Sequence, residues 1–200
     1  LLRALWSEAK PLADDPASRY LAGRGLAVET SELRFAPAAR DGDGGVRPCM
    51  VARVLTADGT RVATLHRTFL KPDGSGKAEM ASPRKLMPGS LPEGAAVRLG
   101  PVKECLGIAE GIETALSASQ LFEIPVWSAI DGGNLAKWSP PEGVSEVCIF
   151  ADNDPGFAGQ AAAFALAKRL SGKVEVNVKV PERVGTDWND VLPAQLKEPA

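Results

Sequence analysis

Three acidic residues follow short apolar runs in the second half of the sequence, and their spacing could support metal chemistry. Glu110 follows the run Cys-Leu-Gly-Ile-Ala, and Asp152 and Asp154 follow the run Val-Cys-Ile-Phe-Ala. Hard carboxylate oxygens are the ligands that Mg²⁺ and Mn²⁺ prefer. An Asp-x-Asp pair alone is weak evidence, because turns also favour Asp for local hydrogen bonds. With Glu110 at the end of an equivalent run, metal binding becomes the favoured interpretation.

The pattern around Glu110 predicts the end of a strand. Residues 105–109 form an apolar run that is too short for a helix, so we expect a buried strand. Apolar residues from Ile112 onward recur at helical spacing, which predicts a helix directly after Gly111. Glu110 would then lie at the carboxyl end of a strand, the edge where open α/β sheets bind their ligands. Gly111 would let a phosphate or a metal-bound substrate approach the backbone closely.

The rest of the second half alternates between strand and helix patterns. We expect strands at 126–130, 147–151 and 174–180, and helices at 112–122, 135–138 and 157–170. Strands separated by helices of this length imply a parallel sheet with right-handed crossovers. The Pro- and Gly-containing stretch 88–99 predicts a boundary, so we divide the chain into domains 1–100 and 101–200.

The first half reads as short helices followed by a β-hairpin. Asp15 and Pro16 are a favourable N-cap and first helical residue. Between residues 50 and 70, two β-rich runs flank Asp58-Gly59, which favours a tight primed turn. The even spacing of Arg53, Arg61 and Arg67 within their strands predicts that they share one face.

Composition and charge are those of a globular protein with an uneven charge distribution. Of the 200 residues, 44% are hydrophobic, and the net charge is −2. Residues 47–103 carry ten Lys and Arg against four Asp and Glu, whereas residues 104–200 carry seven against fourteen. A basic segment before an acidic one suggests a nucleic-acid-binding part beside a metal-binding part, although solvated surfaces would explain it too. The sequence shows neither a membrane span nor a signal peptide, which predicts a cytoplasmic location.

Cysteine usage argues against a zinc site. Cys49, Cys105 and Cys148 have no Cys-x-x-Cys spacing, and two of them fall within predicted strands. We therefore expect buried free thiols in a reducing compartment. The three cysteines are far apart in the sequence, and His66 is the one histidine. The sequence therefore does not predict a zinc site.

The order Glu110-Gly111 followed by Asp152-x-Asp154-x-Gly156 resembles the Toprim domain. This domain is shared by DnaG-type primases, topoisomerases, OLD-family nucleases and recombination mediators. The chain is most similar to the primases, especially those of phages, plasmids and integrated elements. The resemblance implies a Toprim fold, a Rossmann-like parallel sheet with flanking helices, preceded by a small basic α+β subdomain.

The first half also resembles the primase core. The hairpin containing Gly59, Arg61 and Arg67 is similar to the family segment GRVIAFGGR, and the stretch from Lys77 is similar to KYLNSPET…K. Lys85 is shifted from the second lysine of that segment. The resemblance implies that these cations, Arg61, Arg67, Lys77 and Lys85, contact the template strand or the nucleotide. The alternative is a solvated surface.

Near the C-terminus, Gly-Thr-Asp187-Trp-Asn189-Asp190 resembles the primase segment KDPDEYL, whose acidic residues join the metal cluster. Asp187 matches the first of these acidic residues. Asn189 takes the place of the second and would be a weaker, neutral ligand. Asp190 either compensates for it or caps the following helix, and we favour Asp187 as the ligand.

The resemblance implies a DNA primase core that makes short primers in DNA replication. Asp152, Asp154 and Asp187 would bind Mg²⁺ or Mn²⁺, and Glu110 would either share the metal or act as the acid/base. The partners would be single-stranded DNA, nucleoside triphosphates and a helicase, or a helicase domain of a longer parent chain. A metal-dependent nuclease and a non-catalytic binding module stay open as alternatives. A topoisomerase is disfavoured, because Tyr20, the one tyrosine, matches a primase helix instead.

Overall fold

The computed structural model describes residues 1–195 and divides the chain into two compact units. The first unit holds Leu1–Val54 and Val62–Ser90, and the second holds Leu55–Arg61 and the residues from Leu91 onward. Among the described residues, no helix is long and apolar enough to span a bilayer.

The first unit is an antiparallel sheet with two short helices. The sheet has five strands in the order β1-β2-β3-β4-β5. In chain order the elements are α1 (Leu2–Glu8), β1 (Lys10–Pro11), α2 (Pro16–Gly23), β2 (Leu33–Arg40), β3 (Val46–Leu55), β4 (Val62–Phe69) and β5 (Arg84–Leu86). As expected, Asp15 caps α2, and its carboxylate accepts hydrogen bonds from the amides of Ala17 and Ser18 at 2.8 and 2.9 Å. The pairing of β2 with β3 shifts register between Ala36 and Ala39, where β2 contains a proline that cannot donate to the ladder.

The hairpin loop between β3 and β4 is longer than the sequence suggests. Residues 56–61 separate the strands, and Thr56 N donates to Arg61 O at 2.9 Å across the base of the loop. Asp58 accepts hydrogen bonds from Thr56 Oγ1 and Thr60 N, at 2.5 and 3.0 Å, so it organises a wider loop. Leu55 at the start of this loop forms a bridge with Ala96, and the Arg98 guanidinium donates to Ala57 O at 2.9 Å. The loop thereby packs within the second unit.

The second unit contains a parallel sheet in the strand order β7-β6-β8-β9. Its elements are β6 (Cys105–Ala109), α3 (Ile112–Phe122), β7 (Val126–Ser128), α4 (Gly132–Lys137), β8 (Glu146–Phe150), α5 (Ala158–Leu170), β9 (Glu175–Lys179) and α6 (Trp188–Gln195). The predicted fold class, a parallel α/β sheet after an α+β subdomain, is confirmed. The helix predicted at 135–138 begins earlier, because Asp131 caps it by accepting from Asn134 N at 2.8 Å.

Both faces of the parallel sheet are covered, which explains its nearly continuous apolar strands. On one face Leu106, Ile108, Val147 and Ile149 pack in a cluster that includes residues of α4 and α5. On the other face a second cluster includes residues of α3 and α6. Gly107 sits on this second face, where a Cβ atom would lie 2.6 Å from Val126 Cγ2 and 2.9 Å from Phe150 Cε2.

Candidate metal centre

Glu110 and Asp152 lie at the carboxyl ends of two neighbouring strands. β6 and β8 are parallel and hydrogen-bonded, with Ala109 in register with Phe150. Glu110 is the residue after β6, and Asp152 is the second residue after β8. The Glu110 carboxylate reaches toward the start of α4, where a Cβ on Gly132 would lie 3.2 Å from Glu110 Oε2. Strand pairing therefore brings together carboxylates that are far apart in the sequence.

The loop after β8 fixes Asp152 and Asp154 through its own backbone. Asp154 Oδ2 accepts a hydrogen bond from Gly159 N at 2.9 Å, near the start of α5. Between the two aspartates, Asn153 accepts from Gln160 Nε2 at 2.8 Å and donates to Pro181 O at 2.7 Å. Asn153 thus holds the loop while the two carboxylates flank it.

Asp187 is brought to the same region because the chain before it pairs with the acidic loop. Asn153 N donates to Thr186 O at 3.0 Å, and Gly185 N donates to Asn153 O at 2.7 Å. Asp187 Oδ1 accepts from the amides of Asn189 and Asp190, at 2.7 and 3.0 Å, at the start of α6. Both of these backbone hydrogen bonds involve Oδ1 of the carboxylate.

Asp190 and Asn189 have structural partners. Asp190 Oδ2 accepts from Asp187 N at 3.0 Å and completes a reciprocal cap of α6. Asn189 is buried, and its side-chain amide donates to Ser117 Oγ on α3 at 2.9 Å. Of the two roles considered for Asp190, the structure shows the capping role. Asn189 anchors α6 to α3.

The charges of the four carboxylates act on one another. Burial and, after it, the neighbouring charges of Asp187, Glu110 and Asp154 together raise the pKa of Asp152 to about 7. A hydrogen bond from Thr114 Oγ1 to Asp152 Oδ1 at 3.3 Å opposes the shift. Such repulsion among carboxylates is relieved by a divalent cation.

The chemistry of these residues fits a hydrated hard cation. Within residues 1–195, the acidic oxygens at this edge do not form a trio within 4.8 Å of one another. Mg²⁺ usually keeps several waters and uses few direct carboxylate ligands, so an open arrangement suits it. Glu110, Asp152, Asp154 and Asp187 are the residues that would hold such an ion.

Gly111 occupies the N-cap position of α3 with φ −87° and ψ 156°, a conformation open to any residue. A Cβ at this position would meet Thr114 Oγ1 at 3.5 Å, an ordinary contact. The local backbone and α3 therefore do not require glycine here. Close approach of a ligand stays the predicted reason for it.

The predicted basic residues have different environments, and Arg61 lies in the loop before β4, so it does not share a strand face with Arg53 and Arg67. Arg67 is buried, and its guanidinium donates to Arg40 O at 2.7 Å and to Leu86 O at 2.9 Å. Burial also lowers the pKa of Arg67. Arg53 forms an ion pair with Glu32 at 2.5 Å, whereas Arg61 is exposed. The prediction of one shared face was wrong for Arg61, because β4 begins only at Val62.

The two predicted lysines are partly buried. Lys85 Nζ donates to Asp43 Oδ2 at 2.6 Å and to Asp41 O at 3.1 Å. Lys77 Nζ lies 6.0 Å from the centre of the Tyr20 ring. Lys85 is therefore neutralised locally, whereas Lys77 and Arg61 stay predicted contacts of phosphate.

All three cysteines are free thiols, as expected, and two of them lie close together although they are far apart in the sequence. Cys105 Sγ lies 4.0 Å from Cys148 Sγ, and Cys148 Sγ lies 3.7 Å from Glu146 Oε1. Cys49 is buried in the first unit. The parallel register of β6 and β8, which the sequence does not specify, produces this pairing.

Sequence reasoning missed two residues that support the acidic loop. Thr114 donates to Asp152 from the first turn of α3, four residues after Glu110. Gly159 must be small, because a Cβ there would lie 2.9 Å from Asp152 O. A glycine at the third position of the helix predicted at 157–170, directly after an acidic loop, was the signal available for Gly159.

Comparisons with known proteins agree with this geometry. Residues 105–198 match the sequence model of the Toprim domain, and residues 1–99 match that of a domain of unknown function (DUF7146). A search of curated proteins gave no significant match.

Solved structures with a similar fold include primases. A DNA primase domain from Pseudomonas aeruginosa is 15% identical with a TM-score of 0.62, over 97% of this chain and 74% of that one. The zinc-binding and RNA polymerase domains of Aquifex aeolicus primase are 18% identical with a TM-score of 0.64. That match covers 96% of this chain and 56% of the Aquifex chain, so this chain spans just over half of it. A DnaG primase catalytic domain bound to single-stranded DNA is 13% identical with a TM-score of 0.62, over 97% and 76% of the two chains. Residues 105–198 thus match the Toprim domain in sequence, and the described residues have the fold of DnaG-type primase catalytic cores.

Proposed function

We propose that this chain is the catalytic core of a DnaG-like primase that transfers nucleotides from triphosphates to a growing primer on single-stranded DNA. The observation that carries this proposal is the convergence of Glu110, Asp152, Asp154 and Asp187 at the carboxyl edge of the Toprim sheet. Mg²⁺ or Mn²⁺ is the proposed cofactor. A replicative helicase is the proposed partner in the cell.

The reaction requires negative charge to be stabilised on the attacking oxygen and on the departing pyrophosphate. When bound, a divalent ion supplies this charge stabilisation. Asp152 and Asp154 would hold the ion from a loop whose backbone is fixed by Asn153 and Gly159. Asp187 would contribute a carboxylate oxygen from the start of α6.

Glu110 lies across from this loop and either holds the ion or accepts the proton of the attacking hydroxyl. Its main chain is fixed, because Glu110 O accepts from Ile130 N and Ser128 Oγ, each at 2.8 Å. Gly111 leaves room for a phosphate beside it. Arg61 and Lys77 are proposed to contact the template strand or the triphosphate.

The test compares matched aspartate variants in a primer-synthesis assay. The purified chain is incubated with single-stranded DNA, labelled nucleoside triphosphates and Mn²⁺ or Mg²⁺, and product length is read on a gel. Asp154→Asn and Asp187→Asn should reduce incorporation by at least about a hundredfold, the scale of losing a directed electrostatic contact. Asp190→Asn should retain most of it, because asparagine can still cap α6.

Calorimetric titration with Mn²⁺ accompanies the assay, so that a weakly active core is still informative. The proposal requires Mn²⁺ binding that Asp154→Asn weakens and Asp190→Asn does not. Shortening of the template without incorporation would establish the nuclease alternative. DNA binding that is independent of Mn²⁺, with neither reaction, would establish the non-catalytic module.

A further inference from the structure

A second group of metal-ligating side chains lies at the amino-terminal edge of the same sheet. Cys105 is the first residue of β6, Glu146 is the first residue of β8, and Cys148 is two residues further along β8. One ligand atom from each lies within 4.8 Å of the other two. Among the described residues, no other group of three His, Cys, Asp or Glu residues has ligand atoms this close to one another.

Register places these side chains on one face of the sheet. Cys105 is paired with Glu146, and Cys148 with Asn177 on β9. Asn177 Nδ2 donates to Glu146 Oε1 at 3.0 Å. The carboxylate is therefore oriented toward the thiols by a neighbouring side chain, as the ligands of metal sites commonly are.

The positions of the two thiols suit a bridging ion better than a disulfide. Cys105 and Cys148 are diagonal neighbours on adjacent strands, which places their Cα atoms roughly 8 Å apart, given a strand spacing of about 4.8 Å and a rise of about 3.3 Å per residue. A disulfide requires Cα atoms within about 7 Å of each other, so the strands would have to move.

The distances match those around a tetrahedral zinc ion. With Zn–S bonds of about 2.3 Å and a Zn–O bond of about 2.1 Å, the sulfurs would be about 3.8 Å apart and sulfur and oxygen about 3.6 Å apart. The structure has 4.0 Å between the sulfurs and 3.7 Å from Cys148 Sγ to Glu146 Oε1. Only small side-chain adjustments are needed.

An ion can reach the group from the surface. Cys105 is half-buried and lines a surface pocket of about 440 Å³ together with residues 103–104 and 123–125. Cys148 is buried behind it, and burial raises the pKa of its thiol to about 12. The thiols are thus protonated before an ion arrives, and binding would release protons.

We propose that Cys105, Glu146 and Cys148 bind one Zn²⁺ ion, with the fourth coordination position open to water. This site lies at the opposite ends of β6 and β8 from the acidic centre and does not depend on the proposed function. The thiolates favour a borderline-soft ion, whereas the all-oxygen centre favours a hard one. The ion would clamp the first residues of two central strands and stabilise the second unit.

Co²⁺ is the probe, because cobalt–thiolate coordination gives a charge-transfer absorption that oxygen ligands do not give. The full chain, kept reduced, should develop this absorption with one equivalent of Co²⁺ and lose it when Zn²⁺ is added. Cys105→Ser and Cys148→Ser should abolish it. Cys49→Ser, which removes a buried thiol of the first unit, and Asp152→Asn, which alters the acidic centre, should retain it.

Two further measurements apply if a serine variant folds poorly. Glu146→Gln keeps both thiols and the shape of the side chain, and it should weaken Zn²⁺ binding at least about tenfold. Zn²⁺ should also raise the unfolding temperature of Asp152→Asn but not of Cys148→Ser. Absence of the absorption in the reduced wild-type chain, or its persistence in Cys148→Ser, would overturn the proposal. Loss of two free thiols without reductant, combined with no absorption in its presence, would show a redox pair instead.

Discussion

Asp152 carries a carboxyl group that folding holds away from its charged form. Its pKa is about 7 in the folded chain and 3.8 for an ordinary aspartate, because of burial and three neighbouring carboxylates. Between these values the folded state keeps a proton that the unfolded state has lost. The contribution of Asp152 to the free energy of unfolding is therefore most favourable below about pH 4, and this favourable contribution is lost as the pH rises to about 7.

We accordingly expect Asp152→Asn to stabilise the chain in the presence of a chelator, and to do so more strongly as the pH rises from about 4 to 7. Thermal unfolding across this range gives the difference between variant and wild type at each pH. Asp14→Asn is the control, since the Asp14 side chain is 94% exposed. If the difference in stability between variant and wild type stays constant with pH, folding does not raise the pKa of Asp152. In the wild type, affinity for Mn²⁺ should rise over the same range, because the ion competes with the proton.

Arg67 should contribute to stability, in contrast to the exposed Arg61. Its guanidinium binds two main-chain carbonyls inside the first unit. Arg67→Ala would leave both carbonyls without these donors and remove contacts of the aliphatic stem, so a loss of about 2–4 kcal/mol in the free energy of unfolding is expected. Denaturant unfolding measures it, and Arg61→Ala should change the value by less than about 0.5 kcal/mol. If both variants change the free energy of unfolding equally, the contacts of Arg67 do not stabilise the first unit.

The sequence predicted where the acidic residues lie, but not which of the basic side chains are buried and which are exposed. Glu110 and Asp152 could be placed because each directly follows an apolar run, and parallel strands end at one edge. Arg67 could not, because alternation shows which residues share a face without showing which face is covered. Asn189 matches an acidic position of the family, and only the contact of α6 with α3 shows that it is turned to Ser117.

At the scale of elements, the second unit was the more predictable half. Its strands are buried on both faces and its helices follow directly, so apolar runs and helical spacing mark their limits. The wider loop between β3 and β4 was not predicted, because Asp58 binds two threonines that no turn rule includes. The pairing of Cys105 with Cys148 depends on the register of strands that are separated by two helices and a third strand.

Gly107 should be required for packing between β6 and its neighbours. A Cβ there would lie 2.6 Å from Val126 and 2.9 Å from Phe150, both in strands that cannot move independently. Gly107→Ala should lower the free energy of unfolding by about 1–3 kcal/mol, the usual cost of overpacking. Gly23→Ala is the matched control, because nothing lies within 4 Å of its Cβ position at the exposed end of α2. A neutral Gly107→Ala would indicate that the sheet can expand there.

At the scale of the whole chain, charge divides between the two halves. Residues 47–103 carry a net charge of +6 and residues 104–200 a net charge of −7. We expect Lys77→Ala and Arg61→Ala each to weaken binding to single-stranded DNA and to lower the salt-dependence slope by about one unit. Fluorescence titrations at several salt concentrations measure this.

Lys173→Ala is the control for those titrations, because Lys173 is an exposed cation of the acidic half. Its replacement should leave the slope unchanged. If all three variants bind alike, the basic segment is a solvated surface.

The loop of residues 56–61 gives the chain an interleaved connectivity. Both of its ends continue into strands of the antiparallel sheet, yet it is held by Ala96 and Arg98, the latter 41 residues away from its partner Ala57. The loop therefore does not complete its contacts until the ribosome has delivered residues 96–98, which belong to the second unit. In evolution, a single crossover between residues 61 and 94 would separate the loop from the residues that hold it. Exchange of a half between relatives would then succeed only where the loop and the 94–98 segment have remained compatible.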